Sequence, residues 1–300
     1  SVYVEALGRR VTERTLDHLR IRSPFLLRSV APPIVDAEGR LVRAVSRLGK
    51  RVVLELEGDL FLVLHLMIAG RLHWKPAGAK ASGRSALAAF EFSSGTLTLT
   101  EAGTKRRASL HLVAGHDALR EFDRGGLEPL STPAAALIER LRSENHTLKR
   151  ALTDPRMLSG VGNAYSDEIL HRARLSPLRL TSKLTDAEGG RLHAALVGVL
   201  TEWIDRLRRE VGAAFPEHVT AFRPEMAVHG RLRKPCPVCG TPVQRIRYAE
   251  NEANYCAACQ TAGRLLADRA MSRLLKGDWP RSLDEWETRL GQQAPGPARD

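Results

Sequence analysis

Apolar positions in the first twenty residues fall at Val2, Leu7, Val11, Leu16 and Leu19, a loose stripe that predicts a helix over residues 1–20. From Ile21 to about Val113 the period changes to that of strands. The apolar runs over 51–56 and 60–65 flank Glu57-Gly58-Asp59, and those over 88–92 and 96–100 flank Ser93-Ser94-Gly95. Each pair predicts a β-hairpin with a short loop. Residues 104–107 are basic and lead into a further strand over 109–113, while the Gly/Ala/Lys-rich stretch 75–85 reads as a loop. The first third therefore predicts a helix followed by an antiparallel β-sandwich or barrel.

Gly125-Gly126-Leu127-Glu128-Pro129-Leu130 marks a boundary, and beyond it the pattern is helical. Thr132 can cap a helix that has Pro133 at its first position, with Leu137, Leu141 and Leu148 along its stripe. Thr185 and Glu188 form a capping box ahead of Leu192, Leu196, Leu200, Trp203 and Leu207. Between these helices lies Leu158-Ser159-Gly160-Val161-Gly162-Asn163-Ala164-Tyr165. Two glycines at a helix start expose main-chain N–H groups and Asn163 adds a side-chain donor, a combination suited to a phosphate. A Gly-x-Gly turn between helices is more often only a turn.

All four cysteines stand in two C-x-x-C pairs, Cys236/Cys239 and Cys256/Cys259, separated by sixteen residues. This spacing matches a structural zinc site, in which one tight turn offers two sulfurs and a hairpin returns the second pair. Two disulfides fit poorly with a chain that shows no secretory signal, a redox motif does not come duplicated, and the spacing is not that of ferredoxin clusters. Four thiolates leave no open coordination position, so the expected ion is one structural Zn2+.

Composition narrows the partner. The 300 residues allow about two domains. They carry 46 Lys+Arg against 34 Asp+Glu, a net charge of +12 and a sequence pI near 10.1. A polyanion, most simply nucleic acid, is the expected partner. The longest apolar run, 60–69, is interrupted by His65 and is too short to span a membrane. No basic amphipathic helix carries the aromatics that would anchor one to a lipid surface.

The order of these parts resembles the formamidopyrimidine/endonuclease VIII family of DNA glycosylases. The resemblance covers residues 1–259 and is most specific at 159–168, matching its helix–two-turn–helix, and at 236–259, matching its zinc finger. Supporting matches are Arg47-Leu48-Gly49-Lys50, His65-Leu66-Met67-Ile68-Ala69-Gly70, Gly126-Leu127-Glu128-Pro129-Leu130 and Val228-His229-Gly230-Arg231. The resemblance implies an α+β multidomain fold. An N-terminal antiparallel β-sandwich with a flanking helix occupies 1–124 and a helical domain 125–225. A four-cysteine finger follows at 226–262, then a helical or disordered extension at 263–300.

It also implies base-excision repair on damaged double-stranded DNA by a cytoplasmic, nucleoid-associated monomer. A flipped base is released when an N-terminal proline amine attacks the sugar, and elimination from the resulting Schiff base nicks the strand. Lys50 matches a lysine that holds a phosphate near the reacting sugar, although a strand-end lysine by itself reads as solvent-exposed. Asn163, with Gly162 before it, matches the grip on the DNA backbone, and Glu168 an acidic residue that supports the turn. His65 matches a histidine facing DNA. Met67 or Ile68 falls at the wedge that fills the flipped base's place, with core packing as the rival. Lys105, Arg106 and Arg107 form the basic loop facing the lesion, without the family's aromatic wedge, and Arg231 leads into the finger. Asn251, between Glu250 and Glu252, stands where the family has a phosphate-binding arginine.

The family begins Pro-Glu-Leu-Pro or similar, whereas this sequence begins at Ser1. The expectation is that a short Pro-Glu leader supplies the nucleophile and its acid, and that the chain from Ser1 is inactive without it. A catalytically silent protein that binds damaged or abasic DNA on the same scaffold is the alternative. An RNA-binding zinc ribbon is a weaker third reading. After Cys259, Leu265 and Leu274 predict a helix, and the Pro/Gly-rich end beyond Trp279-Pro280 and Trp286 predicts disorder.

Overall fold

In the computed structural model the described residues are 1–103, 105–217, 219, 223–248, 251–267, 282 and 285. Thr104, Glu250, Leu274, Trp279, Pro280 and Trp286 lie outside them. The chain divides into two compact units, one of residues 1–126 and 202–220, the other of 127–201 and 221–300.

The first unit opens with helix α1 (Val2–Val11), which buries Tyr3, Ala6, Leu7 and Val11 at helical spacing. The helix expected over residues 1–20 stops there. Thr12 is extended, Glu13 takes a left-handed φ of 57°, and Thr15–Ile21 forms strand β1. Leu16 and Leu19, three apart, still share the core, because β1 changes register between Leu16 and His18. An extra residue at a bulge puts an odd spacing on one face, which is why a strand passed for a helix.

Seven strands follow: β2 (Arg40–Leu48), β3 (Arg51–Leu56), β4 (Leu60–His65), β5 (Gly70–Lys75), β6 (Ala86–Phe92), β7 (Gly95–Glu101) and β8 (Ser109–Ala114). The β3/β4 and β6/β7 hairpins and the β8 strand stand where the hydrophobic pattern put them. β2 and β5 did not stand out in the pattern, and β2 has a register shift between Val42 and Ala44 that breaks its alternation. The strands are antiparallel in the order β5-β7-β6-β1-β2-β3-β4-β8. Only two residue pairs join β1 to β2, so the sheet folds there into two leaves, a β-sandwich. Leu54, Leu56, Leu62 and Leu64 of one leaf meet Leu72, Phe90, Leu97 and Leu99 of the other in a single core. The outer face of β3/β4 is covered too, as Val53, Phe61 and Val63 pack against Leu119 and Phe122 around the short helix α2 (His116–Arg120). Burial on both faces explains why these strands read as unbroken apolar runs.

The second unit is helical. It contains α3 (Ala134–Arg142), α4 (Leu148–Thr153), α5 (Asn163–Arg172) and the start of α6 (Asp186–Val211), which continues into the first unit. Pro133 rather than Thr132 occupies the cap of α3, and the Thr132 hydroxyl donates backward to the Glu128 carbonyl at 2.7 Å. The capping box of α6 forms as expected: Glu188 N–H donates to Thr185 Oγ1 at 3.2 Å and Thr185 N–H to Glu188 Oε2 at 2.9 Å. A hairpin of β9 (Gln244–Tyr248) and β10 (Asn251–Tyr255) and the short helix α7 (Ala257–Thr261) complete the unit. Residues 263–267 are not helical. Leu265 and Leu266 instead pack on Ile246, Ala253 and Tyr255 of the hairpin.

Candidate nucleic-acid interface and metal centre

In the second unit, α4 and α5 are joined by residues 154–162. The segment is clamped at its middle, where Leu127 N–H donates to Met157 O at 3.0 Å and Ser159 N–H to Leu127 O at 2.9 Å. Gly160 has a φ of 78°, a left-handed turn that favours glycine, and Gly162 is the extended N-cap of α5. Among the described residues, the main-chain N–H groups of 160–164 donate no hydrogen bond. The side-chain amide of Asn163 also makes none. Five consecutive free donors at the positive end of a ten-residue helix form an anion cradle.

The floor beneath this cradle was not legible in the sequence. Lys149, only 4% exposed, donates to the Asn163 main-chain O at 2.7 Å, to Ser166 Oγ at 2.8 Å and to Asp167 Oδ1 at 2.5 Å. Burial lowers the Lys149 pKa, and the Asp167 charge opposes that shift. Glu168 supports a different stretch of backbone from the turn. Its carboxylate accepts the N–H groups of Ala227, Val228 and His229 at 2.7, 2.9 and 2.9 Å, fixing the chain that enters the finger. Arg231 spends its guanidinium on the carbonyls of Pro224 and Pro235 at 3.0 and 3.3 Å. Asn251 opens β10 opposite Tyr248, and Arg245 is paired with Glu252 at 3.4 Å.

The four cysteine sulfurs lie within 4.8 Å of one another. Cys236–Cys259 is 3.9 Å, and Cys239 is 3.4 Å from both Cys256 and Cys259. Tetrahedral Zn–S bonds of about 2.3 Å place sulfurs about 3.8 Å apart, whereas a disulfide needs about 2.05 Å. Burial pushes the Cys256 thiol up and the Cys259 thiol up to about 11, a cost of ionisation that a bound cation offsets. Gly240, with a φ of 76°, turns the first knuckle. The buried His171 places Nε2 3.3 Å from Cys236 Sγ, an outer contact that orients the ligand. The donor set fits one structural Zn2+.

In the first unit, Lys50 sits exposed with Gly49 in the two-residue turn between β2 and β3. His65 pairs with Arg51 of β3 and Ser109 of β8. Burial, reinforced by Arg51 and Lys50, pulls its pKa down to about 4, so the ring is neutral at pH 7. A folded-state pKa below the unfolded value of 6.5 means that stability is full above pH 6.5 and is lost as pH falls toward 4. Discounted for partial exposure, the loss is on the order of 1 kcal/mol. Urea unfolding at pH 7 and 4.5 should show a smaller acid loss for His65→Gln than for the parent chain; equal losses would remove His65 from the account.

Met67 and Ile68 occupy the β4–β5 loop, 40% and 79% exposed, and so do not belong to the core. Met67 has a left-handed φ of 53°, and a Cβ at Gly70 would lie 2.3 Å from the Leu66 carbonyl, so the loop tolerates only glycine there. Packing does not account for a bulky side chain held in a strained, solvent-facing conformation. Met67→Gly should leave stability within about 1 kcal/mol, since it relieves left-handed strain, yet weaken binding to lesion-containing duplex. A stability loss above about 2 kcal/mol would instead make Met67 a packing residue. In the β7–β8 loop, Arg107 and Ala108 N–H donate at 2.9 and 3.0 Å to Glu101, which is 2% exposed. Arg106 donates to the Arg84 carbonyl, and Lys105 is exposed.

Among the described residues no helix is long and apolar enough to cross a membrane. Family models match in chain order: the formamidopyrimidine-DNA glycosylase N-terminal domain over residues 1–109, its H2TH domain over 126–212, and the zinc finger found in FPG and IleRS over 233–262. A formamidopyrimidine-DNA glycosylase of Thermus thermophilus is 34% identical over 275 residues, 87% of this chain and 97% of that protein. An uncharacterized formamidopyrimidine-DNA glycosylase-like protein of Mycobacterium tuberculosis is 41% identical over 151 residues, 50% of this chain and 94% of that one. The Lactococcus lactis Fpg in complex with an abasic site containing DNA superposes with a TM-score of 0.76 at 21% identity, over 87% of this chain and 97% of that one. The chain belongs to the formamidopyrimidine-DNA glycosylase family.

Proposed function

We propose that the chain is a base-excision-repair DNA glycosylase with abasic-site lyase activity, acting on damaged bases in duplex DNA. The observation that carries this reading is the row of unpartnered amides at 160–164 with the free Asn163 amide beside it, a phosphate grip in a chain of this family. In the reaction, an N-terminal amine attacks the sugar carbon, the base leaves, and the Schiff base that forms permits elimination of the strand. Lys50 holds a phosphate, His65 contributes a neutral ring, and Met67 and Ile68 fill the space left by the extruded base. Lys105, Arg106 and Arg107 supply positive charge opposite the lesion. Zinc holds the finger and takes no part in the chemistry.

Borohydride trapping on a duplex with one abasic site tests the reading, run on the chain from Ser1 and on the same chain preceded by a Pro-Glu leader. The chain from Ser1 is expected to bind without trapping, and an adduct that depends on the leader places the nucleophile. Binding with no adduct in either form rejects the glycosylase reading in favour of damage binding alone. Asn163→Ala should weaken binding to all duplexes alike and reduce the salt slope by about 1, as loss of a phosphate contact requires. An unchanged slope removes Asn163 from the phosphate contacts.

A further inference from the structure

Beneath the amide cradle, a continuous buried polar path leads into the finger hairpin. Lys149 ties the Asn163 carbonyl to Asp167 Oδ1, which leaves Asp167 Oδ2 to receive His229 Nδ1 at 2.8 Å and Asn254 Nδ2 at 3.2 Å. The second Nδ2 hydrogen of Asn254 goes to Glu252 Oε1 at 3.2 Å, and Glu252 in turn pairs with Arg245 of β9. Asp167, His229 and Asn254 are 1%, 5% and 2% exposed, so none of them can touch DNA. With Asp167 Oδ2 as the shared acceptor, His229 donates from Nδ1. Asn254 Nδ2 also lies 3.4 Å from His229 Nδ1, and its two carboxylate contacts fix the amide, which leaves Oδ1 buried without a partner. An apolar residue would spare that unsatisfied carbonyl. An asparagine here, despite this cost, is explained by the direction its two donors impose. A two-stranded hairpin is unstable alone and takes its orientation from whatever holds its base.

We infer that His229 and Asn254 are positioning residues, which through Asp167 and Lys149 fix the finger hairpin in register with the amide cradle at the start of α5. The inference rests on the reading of that cradle as a phosphate site. It predicts that a change at His229 or Asn254 is felt at residues 160–164, although both side chains are buried away from DNA.

The test uses the zinc-loaded full chain and the variants Asn254→Leu, His229→Leu and His229→Asn. The last keeps a donor near the position of Nδ1. Without DNA, the amide resonances of Gly160 and Gly162 should shift in Asn254→Leu and His229→Leu and stay near the parent positions in His229→Asn. On an undamaged duplex, the two leucine variants should lose about tenfold in affinity near physiological salt, with a salt slope reduced by about 1, and His229→Asn should retain both. Resonance changes confined to residues near the substitution, with slope and affinity unchanged, would reduce the path to ordinary core packing and overturn the inference. Where Asn254→Leu fails to hold one zinc per chain, the two His229 variants decide by the same readings. If the parent chain shows the amide coupling but no duplex binding at all, the coupling stands and the phosphate reading of the cradle falls.

Discussion

Stripping the metal from Cys236, Cys239, Cys256 and Cys259 is expected to weaken duplex binding by at least about a hundredfold, roughly 2.7 kcal/mol, while the β-sandwich stays folded. Around the metal the finger's core is small: Val228, Val243 and two of the ligands themselves, Cys236 and Cys256, form one cluster, while Ile246, Ala253 and Tyr255 of the hairpin pack separately on Leu265 and Leu266. The two knuckles therefore depend on their metal, which in finger peptides supplies about 10–16 kcal/mol. The sandwich core, by contrast, draws on α1 and both leaves of the sheet and needs no ion. Cys256→Ser is the genetic equivalent, since Cys256 is fully buried and comes within 3.4 Å of Cys239. Zinc content, far-UV circular dichroism and a salt titration of duplex binding check it together. A zinc-free protein with parent affinity would sever the finger from DNA recognition.

Replacing Lys149 with methionine should destabilise the chain by about 3–5 kcal/mol, because it leaves the Asp167 carboxylate buried and unpaired. Asp167 is 1% exposed and its Oδ1 lies 2.5 Å from Lys149 Nζ. The His229 and Asn254 donors on Oδ2 remain and soften the penalty. At about 2–4 °C per kcal/mol, the melting temperature should drop by roughly 6–20 °C. The paired variant Lys149→Met/Asp167→Asn removes both charges, keeps an acceptor oxygen for the His229 and Asn254 donors, and should recover more than half of the loss. A single-variant loss below about 1 kcal/mol, or a paired variant worse than the sum of its singles, would contradict the buried ion pair.

Much of the framework was legible in the chain. Cys236, Cys239, Cys256 and Cys259 announce their site by spacing, because a tight turn allows few ways to present two sulfurs to one ion. The capping box at Thr185 and Glu188 and the hairpins around Glu57-Gly58-Asp59 and Ser93-Ser94-Gly95 are likewise local, so neighbouring residues suffice to reveal them. β1 was misread because the irregularity near Asp17 gives Leu16 and Leu19 a helical spacing within a strand. Met67 and Ile68 stayed ambiguous because a short apolar pair looks the same inside a core or on a loop tip.

The sequence by itself determined the basic overall character and, as consequences of residues near one another in the chain, the zinc site, the β-then-α order and the glycine-marked start of α5. Only the tertiary structure decided what Lys149, Asp167, Glu168, His171, His229 and Asn254 do. Lys149 and Asp167 are 18 residues apart, and Asp167 and Asn254 are 87. As isolated letters they read as polar side chains facing water, since charged side chains are seldom buried. Packing brings them together away from water, where each is stable only with its partner, and such a dependence has no trace in local pattern.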